Sequence, residues 1–455
     1  MTKSTGETAR STPRLSRFLD RVLKRNNAGR APTLIPRDEH NISRRNISEA
    51  ALKVIARLRG GGYQAYLVGG GVRDMLLGLQ PTDFDVATNA TPEQVRKLFG
   101  NSRIIGRRFK IVHVRFGREI IEVTTFRSQH EGNGRASEQA INADGMLLRD
   151  NIYGTIEEDA RRRDFTVNAL YYTTEDFAVH DYVSGMKDLQ ARQIRIIGDP
   201  ETRFREDPVR MLRAVRFAAR LGFSIEPGTA EPIVRLRNLL QGVPPARLFD
   251  EVLKLFMSGH GVTTCHALQH YHLFEPLFPL TTAALAAGHP TGEALIHRAL
   301  ASTDERIATG QPVTPAFLFA ALLWPPLQLR MAELEASGVP ELPALHAAAS
   351  EIIEQQVPRV AIPRRFTLPM REIWELQFRL PRRTARRVQG LLDNRRLRAA
   401  YDFLLLREQA GEELDGLGQW WTDFLDADEG QREQLLQVAQ QGAARPRRRR
   451  RRPRR

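Results

Sequence analysis

Asp83 and Asp85 stand two residues apart in the segment Thr82-Asp83-Phe84-Asp85-Val86-Ala87. In an extended strand that spacing turns both carboxylates to one face and sends Phe84 the other way, toward a core. Paired carboxylate oxygens are hard ligands suited to Mg²⁺, or to Mn²⁺ in its place, and a two-ion site of this kind is the minimum for two-metal phosphoryl transfer. One ion would activate an attacking hydroxyl and the other would steady a leaving pyrophosphate. Asp-x-Asp alone is weak, since exposed strand edges supply many. Its weight comes from what precedes it: Leu67-Val68-Gly69-Gly70-Gly71-Val72-Arg73-Asp74. Glycines let backbone N–H groups approach a triphosphate, a following helix offers its positive end, and Arg73 can pair with a phosphate oxygen. Gly69, Gly70 and Arg73 are therefore the candidate nucleotide cradle, and Asp83 and Asp85 the candidate metal ligands.

Other residues could join this chemistry. Glu122 alternates with apolar residues in Ile120-Ile121-Glu122-Val123 and is either a third carboxylate near the metals or a solvated strand-face glutamate. In Arg161-Arg162-Arg163-Asp164, arginines beside a triphosphate would neutralise developing charge, while Asp164 is either a catalytic acid or the ion-pair partner of Arg162 or Arg163. Glu206-Asp207-Pro208-Val209-Arg210 opens a helix, with Asp207 expected at the N-cap and Pro208 at the first helical position. Asp207 and Arg210, three apart, present an acceptor and a donor fork on one edge. Arg213 and Arg216 continue that stripe, as phosphate contacts or as a solvated face.

These ordered motifs resemble the DNA polymerase beta superfamily, in the branch shared by bacterial poly(A) polymerases and CCA-adding tRNA nucleotidyltransferases. The resemblance runs from about residue 47 to 223 and more loosely to about 406. It implies a nucleotidyltransferase with a catalytic head, a neck and a body, ATP as substrate and RNA 3′ ends as acceptor. It further implies that Arg163 and Asp164 serve at the nucleotide ribose and phosphates or complete the acidic site, and that Asp207 and Arg210 read the incoming base in place of a template. Ile104-Ile105-Gly106-Arg107-Arg108-Phe109-Lys110 resembles the segment that marks the poly(A) branch. Poly(A) tail synthesis promoting RNA turnover is the function this implies, with RNA-decay proteins as further partners. CCA addition to tRNA and a non-catalytic RNA-binding scaffold are the alternatives.

The elements that must position these residues form an α+β chain. Apolar spacing predicts a helix over 47–58, then strands at 63–68, 84–87, 111–116, 120–126, 169–172 and 194–197, which makes a head of about 46–200 with a mixed or antiparallel sheet. From Asp207 onward the patterning is helical, divided into a neck (201–270) and a body (271–430), both all-α. Residues 1–45 are expected to be a basic flexible arm, 128–150 a mobile loop, 431–455 a disordered arginine-rich tail, and His180-Asp181 a surface turn.

The formal charge of +15 is concentrated at the two ends: residues 1–45 carry +7 and residues 445–455 hold nine arginines and no acid. A polyanion such as RNA is the natural partner, bound through its phosphates by counterion release. Arg107, Arg108, Arg382, Arg383, Arg395 and Arg396 are further candidates for tracking an RNA backbone, over an apolar core of Leu391, Leu392, Leu397 and Phe403. A single cysteine, Cys265, excludes a disulfide framework and a thiolate metal site and points to a cytoplasmic setting. No stretch approaches the length of a membrane span.

Overall fold

The structure, a computed structural model, describes residues 31–106, 110–128, 139–141, 147–150 and 152–443. The chain divides into two compact units, 1–198 and 199–455.

The first unit is built on one eight-stranded sheet. Its strands are β1 (Thr33–Ile35), β2 (Ala65–Val68), β3 (Asp85–Thr88), β4 (Ser102–Ile105), β5 (Ile111–Phe116), β6 (Glu119–Thr125), β9 (Leu170–Tyr172) and β10 (Val179–Asp181); β7 (Gln139–Ile141) and β8 (Leu147–Asp150) form a separate hairpin. The order across the sheet is β1-β10-β9-β2-β3-β6-β5-β4, antiparallel throughout except for the parallel pair β3–β6. The helix Glu49–Gly60 precedes β2. Ser48 caps it by accepting from the Ala51 N–H at 3.1 Å, and Ala51, Val54, Ile55 and Leu58 form its buried stripe. The chain then turns through Gly62 at φ +85°, a conformation glycine adopts without strain.

Four expectations give way here. Thr33–Ile35, assigned to the flexible arm, adds an edge strand to β10, and its three residues are too few to show alternation in sequence. His180 and Asp181, expected in a surface turn, lie in β10, where buried Asp181 accepts from the N–H groups of Val183, Gly185 and Met186. Part of the loop expected over 128–150 is the β7–β8 hairpin, and of the strand expected at 194–197 only Ile194 lies in a sheet strand, Gln193–Ile194.

The second unit is helical from Pro200 to Ala443, with no strand longer than two residues. Buried Leu376, Leu391, Leu397, Leu404, Trp421 and Phe424 anchor one of its clusters, and Trp421 donates to the Leu380 carbonyl at 3.1 Å. Leu391, Leu397 and Phe403 are buried as the sequence predicts, while Leu392 is half-buried. A helix over Glu429–Ala443 replaces the first part of the disordered tail expected from 431, because Leu435 and Leu436 pack against that cluster. The arginine run beyond it lies outside the described residues.

Leu404→Ala removes a fully buried side chain from this cluster and should cost about 2–5 kcal/mol in urea denaturation. Leu342→Ala, at an exposed position, should change stability by no more than about 0.5 kcal/mol.

Candidate active site

One lateral row of the sheet gathers several of the candidate residues. Tyr171 pairs with Val68, Val68 with Asp85, Asp85 with Glu122, and Glu122 with His113. Residues directly opposite one another share a face, so Asp85, Glu122 and His113 stand side by side. Glu122 reaches His113 Nε2 at 3.1 Å. Asp83 is exposed and lies just before β3, which begins at Asp85, while Phe84 between them is buried as predicted. Burial, then the negative charges of Glu122 and Asp83, push the Asp85 carboxyl up to about 7, with Arg163 partly offsetting them.

The glycines serve this strand as well as any ligand. Gly69 has φ +78°, and a Cβ there would lie 3.4 Å from Asp85 Oδ2 and 3.8 Å from Arg163 Nη1. A Cβ on Gly71 would meet the Asp83 carbonyl oxygen at 3.1 Å. Glycine therefore lets the loop lie directly against the two aspartates. The helix that follows, Gly70–Leu76, is short.

Arg73 departs from expectation. It is 1% exposed; Nε and Nη2 donate to Asp74 Oδ1 at 2.8 and 2.6 Å, and Nη1 donates to Asn168 Oδ1 at 2.6 Å. A guanidinium committed inward is a brace beneath the loop and offers a phosphate little surface. Asn168 in turn donates to Asp164 Oδ1 at 3.3 Å, and the same oxygen accepts from the Phe165 N–H at 2.8 Å. Arg73 and Asn168 thus tie the glycine loop to the arginine-aspartate segment, and Asp164 shapes the turn that follows it.

The three consecutive arginines have separate fates. Arg161 pairs with Glu157 on the outer face of the helix Ile156–Arg162. Arg163 turns inward: Nε donates to Tyr171 Oη at 2.8 Å, Nε and Nη2 donate to Asp159 Oδ2 at 3.2 and 3.1 Å, and Tyr171 Oη donates to the same oxygen at 2.7 Å. Burial opposes the charge on Arg163, but Tyr171, Asp159 and Asp85 outweigh it and raise its pKa. Arg163 is the cation held beside Asp85. Asp159 and Tyr171, which position it, were not singled out in the sequence; an acid four residues before an arginine was the available signal.

In the helical unit, Asp207 closes the helix Pro200–Glu206 and accepts from the Val209 N–H at 3.3 Å; it lies two residues before the helix Val209–Leu221, whose N-cap is Pro208 and not Asp207 as expected. Its carboxylate is held in a bidentate pair by Arg247, at 2.8 and 2.7 Å. Arg210 Nη1 bonds Glu206 at 2.9 Å and the Arg203 carbonyl at 2.8 Å, leaving Nε and Nη2 without a hydrogen-bond partner among the described residues. Arg247 and Glu206 are the supports that sequence spacing did not reveal. Arg216 is drawn into an internal pair with Glu251 at 3.0 Å, and Arg213 lies over the Phe217 ring. Arg382 and Arg396 pair with Glu341 and Glu372, Arg383 lies over Trp420, and Arg395 is exposed. Arg107 and Arg108 fall outside the described residues.

Residues 65–195 match the family described as the poly(A) polymerase head domain, 222–285 its "probable RNA and SrmB-binding site" and 337–455 its arginine-rich C-terminus. Poly(A) polymerase I of Salmonella typhimurium is 53% identical over 93% of this chain and 92% of its own length. The chain belongs to the poly(A) polymerase family. This is a family of nucleotidyltransferases, which fits the α+β head and helical remainder described above. The CCA-adding enzyme of Bacillus subtilis is 38% identical over 50% of this chain and 55% of its own length. A crystal structure of the Bacillus stearothermophilus CCA-adding enzyme in complex with CTP superposes with a TM-score of 0.53 at 25% identity, covering 88% of this chain and 83% of that one. Likeness to this poly(A) polymerase spans 93% of the chain, whereas sequence likeness to this CCA-adding enzyme covers half of it.

Asp159 is buried and Arg163 half-buried, so Asp159→Ala, which leaves Arg163 without its carboxylate, should lower unfolding free energy by about 2–3 kcal/mol, below the cost of breaking a fully buried pair. Arg161→Ala, which breaks a solvated i,i+4 pair, should cost no more than about 0.5 kcal/mol in the same denaturation series.

Proposed function

We propose that this chain is a template-independent polynucleotide adenylyltransferase that transfers AMP from ATP to RNA 3′ ends and releases pyrophosphate. The observation that carries the reading is the sheet row in which Asp85 faces Glu122, with Asp83 alongside and Gly69 and Arg163 against it. Whole-length likeness to poly(A) polymerase I favours ATP and general RNA over CCA addition.

The carboxylates suit Mg²⁺, which takes few protein oxygens and draws its remaining ligands from water and phosphates. Asp83 and Asp85 would hold it, and their mutual repulsion is the kind of charge a divalent cation relieves. When bound, the metal supplies Lewis acidity to the attacking hydroxyl and charge neutralisation to the leaving pyrophosphate. Around it, the backbone at Gly69 and Gly70 gives the triphosphate room, and Arg163 adds a fixed positive charge. Glu122 holds negative charge at the same row, and Asp164 keeps the Arg163 turn in shape. The open Nε and Nη2 of Arg210 and the carboxylate of Asp207 read the base, with Arg247 fixing the latter. Exposed arginines of the helical unit and the terminal arginine run follow the RNA backbone. No helix among the described residues is long and apolar enough to cross a membrane, and the reading places the protein in the cytoplasm, where RNA-turnover proteins are its natural partners.

Purified protein with RNA, Mg²⁺ and single nucleotides should extend the RNA with ATP alone. CMP addition followed by AMP, stopping after three residues, would overturn the poly(A) reading. Asp83→Ala and Asp85→Ala should each reduce AMP incorporation by roughly a thousandfold or more, as loss of a metal ligand in phosphoryl transfer does. Unchanged extension by Asp83→Ala would instead favour a non-catalytic scaffold.

Without divalent ions, Asp85 has a folded-state pKa near 7 against its usual 3.8. Its contribution to stability is complete below about 4 and is lost as pH rises through about 7. In EDTA, Asp85→Asn should therefore gain melting temperature relative to the native sequence between pH 5 and pH 8. Added Mg²⁺ should reverse the order at pH 8, where the native carboxylate is charged and the amide is not.

A further inference from the structure

We propose that a cavity of the helical unit, walled by Arg306, Phe317, Arg395, Arg398 and Asp402, takes one nucleotide of a single-stranded RNA, its base against Phe317 and its phosphates at Arg395 and Arg398. The proposal rests on the reading that this chain binds RNA.

The cavity holds about 230 Å³. That is below the roughly 300–1,000 Å³ of sites enclosing a whole drug-sized ligand, so it suits one planar group with the rest of the ligand outside. The helix Gly292–Ala308 supplies Arg306, the helix Pro315–Leu322 supplies Phe317, and the helix Leu397–Gln409 supplies Arg398 and Asp402. Asp402 accepts from Arg306 Nη2 at 2.8 Å and from Arg398 Nε at 2.9 Å. One carboxylate thus orients two guanidinium groups, and bonding through Nε leaves the two terminal nitrogens of Arg398 without a hydrogen-bond partner among the described residues. Arg395 adds a third cation; its acid neighbour, Glu372, lies 3.8 Å away and is bonded to Arg396 at 2.8 Å. The heads of Arg395 and Arg398 are 80% and 76% exposed.

Three cations face one anion around an opening whose wall includes a half-buried aromatic ring. Phe317 packs edge-to-face against Phe403 at 5.9 Å and 83°, a contact that favours one orientation of its ring. A merely solvated arginine face would need neither the cavity nor the ring. Flat base and anionic phosphate are the two halves of a nucleotide, and an aromatic platform flanked by arginines is how single strands are held without sequence choice. A free mononucleotide shares that chemistry. The strand is favoured because two separate exposed arginines flank the opening, as successive phosphates require.

The test uses the full chain and a single-stranded oligonucleotide containing 4-thiouridine, crosslinked by long-wavelength light and mapped by mass spectrometry. A crosslink in the peptide bearing Phe317 is expected, competed by unlabelled oligonucleotide and not by AMP. Phe317→Leu keeps apolar volume without the π face and should weaken oligonucleotide binding about fivefold or more, as loss of one stacked base does. Arg395→Ala with Arg398→Ala should lower the slope of log Kd against log salt by about 1.4, or roughly 0.7 for each single-strand phosphate contact. Crosslinks mapping elsewhere, with Kd unchanged in both variants, would overturn the proposal, and so would full competition by AMP, which would mark a free-nucleotide site. A protein that crosslinks at Phe317 yet adds no AMP would sink the catalytic reading alone, and one that adds AMP without the crosslink would sink only this proposal.

Discussion

Asp85 stands in the sheet with Glu122 directly across the parallel β3–β6 ladder and Asp83 two residues upstream, and Coulomb repulsion would separate the three if the backbone were free. The ladder hydrogen bonds fix β3 against β6, so the charges cannot move apart; burial first, and then the repulsion from Glu122 and Asp83, raise the Asp85 carboxyl to about 7. Concentrated negative charge that cannot disperse favours a divalent cation, and few protein ligands leave that cation open to phosphate. Much of the rest of the head supports this row. Its parallel pair interrupts an otherwise antiparallel sheet at the place where the two carboxylates must face each other.

Two buried polar networks hold the surroundings. Asp74, Arg73, Asn168 and Asp164 link the glycine loop to the segment after the helix Ile156–Arg162, and Asp159 with Tyr171 fixes Arg163 beside Asp85. A buried ion pair is seldom a large net source of stability, because desolvation offsets most of the attraction. Its value here is directional: Asp159 and Tyr171 hold the Arg163 guanidinium in one orientation, beside Asp85. The helical unit repeats the device, with Arg247 clasping Asp207 and Glu206 clasping Arg210.

What the sequence disclosed was local. Two aspartates at strand spacing, a glycine run between a strand and a helix, and apolar periodicities from Ile47 to Phe126 all have signatures spanning a few residues, and the structure places them together. Glu122 was legible only as an alternating acid; that it stands opposite Asp85 depends on a parallel pairing across more than thirty residues, which periodicity does not report. Arg73 shows the opposite failure. Its position after the glycines suggested a phosphate, but a side chain's direction depends on which partners the fold brings up, and Asn168 lies 95 residues away. Arg247 is hidden for the same reason, 40 residues from Asp207. Thr33–Ile35 and Val179–Asp181 escaped because three-residue strands carry too little pattern, and Glu429–Ala443 because a polar, charge-bearing helix reads as tail until Leu435 and Leu436 are seen to pack.

On the proposed function, carboxylates of one sheet row, beside a glycine loop, hold the divalent ion that meets a nucleotide. Anomalous diffraction from crystals grown with Mn²⁺ and a non-hydrolysable ATP analogue tests it most directly. A manganese peak is expected at the carboxylates of Asp83 and Asp85, with the triphosphate lying along Gly69 and Gly70 and near Arg163. Well-ordered manganese and nucleotide at another place, with both aspartates uncoordinated, would contradict it.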